Sequence, residues 1–152
     1  MAAEFTSNPI QTVAPNQPIV LNTTIGCNKG YVIHRPESGI VTLRGIVNNP
    51  CANFARYQVT FNGNITIPEG GTAGEIQIGI AVSGEAIPTS LAKVTPTAVD
   101  AYFNVTSTAI IDVPKGCCFN VSVDNETEIV PPATVAQAIN VQNANLVVTR
   151  IA

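Results

Sequence analysis

Residues 101–125 read AYFNVTSTAIIDVPKGCCFNVSVDN, and residues 134–152 read TVAQAINVQNANLVVTRIA. In the first stretch Cys117, Phe119, Val121 and Val123 alternate with Cys118, Asn120, Ser122 and Asp124. Alternation of period two puts one set on a core and the other opposite it, the pattern of a half-buried strand. Pro114-Lys115-Gly116 separates that strand from Tyr102–Val113, a run rich in β-branched residues, so the stretch predicts strand, turn, strand. The second stretch predicts a strand over Thr134–Val141, a tight hairpin at Asn143-Ala144-Asn145 and a closing strand over Asn145–Ile151. A short helix over Ala133–Asn143, carrying Val135, Ala138, Ile139 and Gln142 on one face, is the competing reading, and the hairpin weighs against it. A strand of Leu146–Ile151 at the end of the sequence needs clamping inside a sheet to be ordered, so this segment is expected in the core.

The same pattern extends upstream. Ile76, Ile78, Ile80 and Val82 alternate with Gln77, Gly79, Ala81 and Ser83, and further strands are expected near Tyr31–His34, Ile40–Val47 and Arg56–Thr66. Turn residues fall between them at Pro36-Glu37-Ser38-Gly39, Asn48-Asn49-Pro50, Glu69-Gly70-Gly71 and Pro131-Pro132. Many short strands joined by Gly/Pro turns specify an all-β jelly-roll sandwich, placed over residues 23–152. Ahead of it, residues 1–22 read as an extended N-terminal arm. Pro9, Pro15 and Pro18 disfavour helix there, and Phe5, Ile10, Val13, Ile19, Val20 and Leu21 are isolated apolar positions. Phe5, Pro9, Ile10 and Val13 are the candidate residues for attaching the arm to a larger particle.

A chain of 152 residues suffices for one domain with a substantial core. Its charged fraction is 11%, against about 25% in an ordinary soluble domain. The positions facing away from the core carry Ala, Thr, Asn, Gln, Ser and Gly where a monomer would carry Lys and Glu. A compact homo-oligomer is the expected outlet for such faces. Mean hydropathy is +0.27, yet no apolar run nears the roughly 18 residues of a spanning helix, which argues against a membrane. A net charge of -3 without any Lys/Arg cluster argues against nucleic acid as a partner. The opening MAAEFTSNPIQ lacks a basic segment and an apolar core, so no classical signal peptide is expected and folding is placed in the cytoplasm.

Cys27, Cys51, Cys117 and Cys118 form no CxxC pair. Cys27 and Cys51 could bridge in an oxidising compartment, and with His34 they raise a zinc reading, but the spacing matches no usual zinc pattern. Reduced structural thiols and no metal are expected. Asn-x-Ser/Thr triplets begin at Asn22, Asn64, Asn104, Asn120 and Asn125, and carry meaning only on a secretory route. His34, the single histidine, sits beside Arg35 and reads as a strand-end surface residue. Asp100, Asp112, Glu126 and Glu128 read as solvated strand-end or loop residues, and Tyr31, Tyr57 and Tyr102 do not cluster along the chain. With no nucleophile motif and no Gly-rich phosphate loop, neither enzymatic activity nor a cofactor is expected.

From about Ser38 to Ala152 the order of motifs resembles the tumour necrosis factor-like jelly roll, which includes the complement-type trimers and the C-terminal domains of spore-surface collagen-like glycoproteins. The resemblance rests on Ser38-Gly39-Ile40-Val41-Thr42-Leu43, on Ile80-Ala81-Val82-Ser83-Gly84-Glu85-Ala86-Ile87-Pro88, on Val113-Pro114-Lys115-Gly116, and on Leu146–Ile151 as closing strand. The sequence departs from the family at Val41, where an aromatic is usual, and at Asn48–Phe54, an extra loop. The resemblance implies a homotrimer with apolar inner faces, and Phe61, Tyr102, Phe103, Phe119 and Val148 are its candidates for core or threefold axis. A small charge-poor β trimer with an extended arm also resembles the capsid decoration or head-fibre proteins of tailed bacteriophages. That implies a structural role on the virion surface, with the major capsid protein or another virion protein as partner. The alternative is a display or adhesion domain of a spore or cell surface, or a phage receptor-binding tip, binding a glycan or receptor. The chain carries no collagen-like Gly-x-y stalk for the spore version.

Overall fold

The computed structural model describes residues 2–26, 30–46, 51–129 and 136–151. Among them run β1 (Ala2–Ser7), β2 (Gln11–Val13), β3 (Thr23–Gly26), β4 (Val32–His34), β5 (Val41–Arg44), β6 (Phe54–Thr66), β7 (Ile76–Val82), β8 (Glu85–Ala86), β9 (Ala92–Val94), β10 (Phe103–Pro114), β11 (Cys118–Asn125) and β12 (Ile139–Arg150), with a 3-10 turn at Pro88–Ser90. They form two six-stranded sheets. The first has the order β10-β6-β12-β1-β3 with β2 also on β12; the second has the order β4-β5-β11-β7-β8 with β9 also on β7. Every pairing is antiparallel. The result is the expected all-β jelly-roll sandwich.

Alternation builds the core. Along β6, Ala55, Tyr57, Val59, Phe61 and Ile65 are fully buried while Phe54, Gln58 and Asn62 face out. Phe5, Leu146 and Val148 join them from the first sheet, and Leu43, Ile78, Ile80, Val121 and Val123 meet them from the second. Tyr57 reaches through this core to donate its hydroxyl to the Arg44 carbonyl at 2.5 Å, which satisfies the polar tip that burial would otherwise strand.

The first 22 residues are not an arm ahead of the sandwich. β1 lies inside the first sheet, with Glu4 opposite Val147 of β12 on one side and Ile25 of β3 on the other. Beyond β2, Asn16 and Ile19 donate backbone hydrogen bonds to Asn125 and Val123, and Gln17 accepts one from Asn125. This stretch continues the second sheet along β11 where β5 has ended. The buried Asn125 amide donates to the carbonyls of Val13 and Gln137 at 3.1 and 3.0 Å, tying the N-terminal segment to the C-terminal one. The expected division at residue 22 therefore cuts through one core.

Residues 139–150 depart from the expected hairpin. β12 is a single strand: Asn140 to Arg150 pair in one continuous direction with Thr66 to Tyr57 of β6. The register shifts between Gln142 and Asn145, where Asn143 takes a φ of 57°. Asn tolerates that left-handed conformation, so an Asn-rich triplet that reads as a turn instead inserts a β-bulge. The competing helix over 133–143 is excluded from Ala136 onward, and its first part lies outside the described residues, as do Asn48-Asn49-Pro50 and Pro131-Pro132.

β7 is buried on both faces. Residues 88–91 fold over its outer side, so that a Cβ on Gly79 would stand 2.8 Å from Leu91 Cδ2. Ser90 Oγ accepts from the Ile80 amide at 3.0 Å and fills the break in the ladder between β8 and β9. Gln77 and Ala81, outward by alternation, are thus interior, which alternation alone does not reveal.

His34 is likewise interior rather than a surface residue. It is 2% exposed, its Nδ1 lies 3.1 Å from Thr24 Oγ1, its Nε2 lies 2.8 Å from the Ser38 carbonyl, and its ring meets Phe5 at 4.8 Å. Among the described residues no three His, Cys, Asp or Glu side chains gather as a metal site. Cys117 and Cys118 are unbridged and exposed, and Cys51 is exposed. Cys27 lies outside the described residues. Tyr31 and Tyr57 do come together, since Tyr57 Oη is 3.3 Å from the Tyr31 carbonyl and the Arg150 guanidinium lies 3.9 Å over the Tyr31 ring.

Asp124 is 5% exposed and accepts from Ser122 Oγ at 2.8 Å. Burial pushes its carboxyl above the ordinary 3.8, and burial with Asp124 nearby pushes Glu126 up as well. A carboxyl raised on folding keeps its proton where the unfolded chain has released it. Stability therefore falls as pH rises through the interval above 3.8. Asp124→Asn should flatten that decline, and urea unfolding at about pH 4 and about pH 7 checks it. Equal losses in both proteins would remove Asp124 as the cause.

Candidate oligomer interface

The outer face of the first sheet is set by the register. Thr108, Thr60, Val147, Glu4 and Ile25 form one row across β10, β6, β12, β1 and β3. Ile110, Gln58, Thr149 and Ala2 form the row beside it, and Thr106, Asn62, Asn145, Thr6 and Thr23 the row on the other side. Charges on this face are Glu4, to which the Asn145 amide donates, and the mutually paired Arg56 and Asp112. Arg56 engages Asp112 through two bonds, at 2.7 and 2.9 Å, which hold the Asp112 carboxyl below its usual range.

Side-chain amides order the face. Asn104 donates to Asn62 at 2.8 Å and to Asn64 at 3.2 Å, Asn64 donates to Asn143 at 3.2 Å, and Asn143 donates to Asn8. Thr60 and Thr108 bond at 3.1 Å. A row of this kind leaves few rotamers to freeze when another surface docks, which lowers the entropy cost of association. Ile25 and Ile110 stand on the same face at 54% and 63% exposure. β10 is the sheet's edge, twelve residues long, and its one acidic side chain, Asp112, is already paired. A long edge with so little charge invites a covering partner.

The residues singled out from sequence divide sharply. Phe61 and Val148 are fully buried within one subunit, so they are core and not axis. Phe119 is half-buried on the second sheet. Tyr102 and Phe103 are 36% and 40% exposed at the start of β10, and Phe103, opposite the buried Ile65, stands on the inward side of that strand and not on the candidate face. Of the expected attachment residues, Phe5 and Val13 are enclosed in the core and offer nothing to a particle, whereas Pro9 and Ile10 are exposed. Sequence reading missed the amide row altogether. Its signal was present as Asn62, Asn64 and Asn104, but their convergence depends on the β6–β10 register.

The sandwich is similar to solved structures of one fold. It matches the Eiger TNF of S. frugiperda with a TM-score of 0.69 over 100% of this chain and 92% of that one, at 11% identity. It matches the globular domain of the zebrafish complement 1qA protein with a TM-score of 0.63 over 99% and 97%, at 11% identity. Murine APRIL matches with a TM-score of 0.55 over 99% and 100%, at 7% identity. The chain thus has the tumour necrosis factor-like jelly-roll fold, and at these identities the likeness is one of fold. No protein-family model and no curated protein matches the sequence.

Proposed function

We propose that this protein is a non-enzymatic structural protein that works as a homotrimer, with the outer face of its first sheet buried between copies. The observation that carries this reading is that face itself: five strands wide, almost uncharged, ordered by its own amides, with Ile25 and Ile110 exposed on it. Such a surface is poorly matched to water and well matched to a flat partner surface. The resemblance of fold to complement 1qA and tumour necrosis factor structures supports three as the number of copies.

Thr60 and Val147 face each other across β6 and β12 near the middle of this face. Replacing both by Lys plants like charges on every copy, which is expected to dissociate the assembly. Light scattering should give about 48 kDa for the native protein, three chains of 15.9 kDa, and a single chain for the double variant with its circular dichroism unchanged. A native mass of one chain would overturn the reading.

The finer reading is a decoration or head-fibre protein on the capsid of a tailed bacteriophage. Its support is the combination of small size, scarce charge and a β trimer without catalytic groups. In this reading the exposed turn at Asn8-Pro9-Ile10, rather than a free arm, touches a capsid protein. Pull-down of the trimer by intact phage particles, lost in Ile10→Asp, would support it. Binding to a glycan array with no particle binding would replace it by a surface adhesion role.

A further inference from the structure

A cleft of about 400 Å³ opens on the second sheet, away from the proposed interface. Gln77, Glu126 and Glu128 line it together with Pro88, Leu91 and Ile129. Gln77 is 3% exposed, and its Oε1 is a buried acceptor without a hydrogen-bond partner among the described residues. Such an atom is uncommon in a native fold and calls for a donor.

Asn16 also lines the cleft, and among the described residues the donors nearest Gln77 along the chain pairings are committed. Gln77 Nε2 donates to the Glu126 carbonyl, the Glu126 amide donates to the Gln77 carbonyl at 3.0 Å, and the Thr127 amide donates to Asn125 Oδ1 at 3.1 Å. The acceptors left over are Gln77 Oε1 and the carboxylates of Glu126 and Glu128. Glu126 is pushed above its ordinary range by burial and by Asp124, the mark of a negative charge without enough compensation. The cleft is also lined by the apolar side chains of Pro88, Leu91 and Ile129.

We propose that this cleft binds a primary ammonium group on an aliphatic stem. An ammonium has three donors and no acceptor, which complements the acceptors Gln77 Oε1, Glu126 and Glu128, and its stem matches Pro88, Leu91 and Ile129. A free alkyl diamine and the side chain of a lysine share this chemistry. The cleft belongs to one subunit and stands independently of the trimer reading.

The test is nuclear magnetic resonance titration of the full-length protein with 1,5-diaminopentane, with Nα-acetyl-lysine methylamide and with 1,5-pentanediol. The two ammonium probes are expected to shift the Gln77 side-chain amide and the Thr127 backbone amide saturably, and the diol is not. Tighter binding of the diamine identifies a free diamine as the ligand, and binding at least as tight by the lysine derivative identifies a protein side chain. Glu126→Gln should weaken binding about tenfold or more, and the exposed Glu128→Gln provides the same test if the first variant folds poorly. Absence of saturable shifts, an equal response to the diol, or undiminished binding in the variants would overturn the proposal, as would displacement of the diamine by calcium ions.

Discussion

Removing residues 1–22 is expected to unfold the protein rather than to trim it. The truncation takes β1 from between β12 and β3, takes β2 from β12, and strips Ile19 and Leu21 from the core. Phe5 is fully buried, and losing a buried Phe side chain by itself costs about 3–5 kcal/mol. A domain of this kind has only about 5–15 kcal/mol in all. Deleting a whole inner strand also leaves the backbone groups of β12 and β3 without partners on one side. The truncated chain should lose its cooperative thermal transition and its dispersed amide spectrum. A truncated chain that still melts cooperatively would restore the separate arm and return Phe5 and Val13 to the attachment surface.

Phe61→Ala is expected to cost about 3–5 kcal/mol, lowering the melting temperature by roughly 10 °C or more. Phe61 is fully enclosed, and its ring lies over Gly63, where a Cβ would meet Phe61 Cζ at 2.9 Å. Phe119→Ala should cost less, because Phe119 packs against the core but is only partly buried. Urea unfolding of both variants compares them directly. Should Phe119→Ala prove as costly as Phe61→Ala, Phe119 must be buried against another copy, and the oligomer interface would have to include the second sheet.

The two aromatic positions illustrate how far the sequence carries. Both sit at alternating apolar positions in convincing strands, and nothing local distinguishes them. Phe61 belongs to the second strand in from the edge of the first sheet, between β10 and β12, whereas Phe119 lies where β11 has just left its turn. Depth in a sandwich depends on neighbours distant in the chain. The same holds for Gln77, polar by type and outward by alternation, yet buried because residues 88–91 cross over its strand.

The candidate interface shows the other half of the relation. A shortage of charge was legible residue by residue, and the outer face of the first sheet carries few charges. Which face would gather the Asn, Thr and exposed Ile residues was not legible, because β6, β10 and β12 are assembled from separate parts of the chain and a one-residue change of register would exchange the two faces.

By itself, then, the sequence determined the all-β class, most strand positions from Tyr31 onward, the jelly-roll architecture and the scarcity of charge. These follow from period-two alternation, turn residues and composition, all of which act locally or add up without regard to order. Tertiary structure alone decided that residues 1–22 are interior strands, that Asn143 makes a bulge instead of a turn, that His34 and Gln77 are buried, and that one face carries the amide row. Each of those depends on a pairing between distant segments, above all β1 with β12 from opposite ends of the chain, whose energy exists only once both strands are in place.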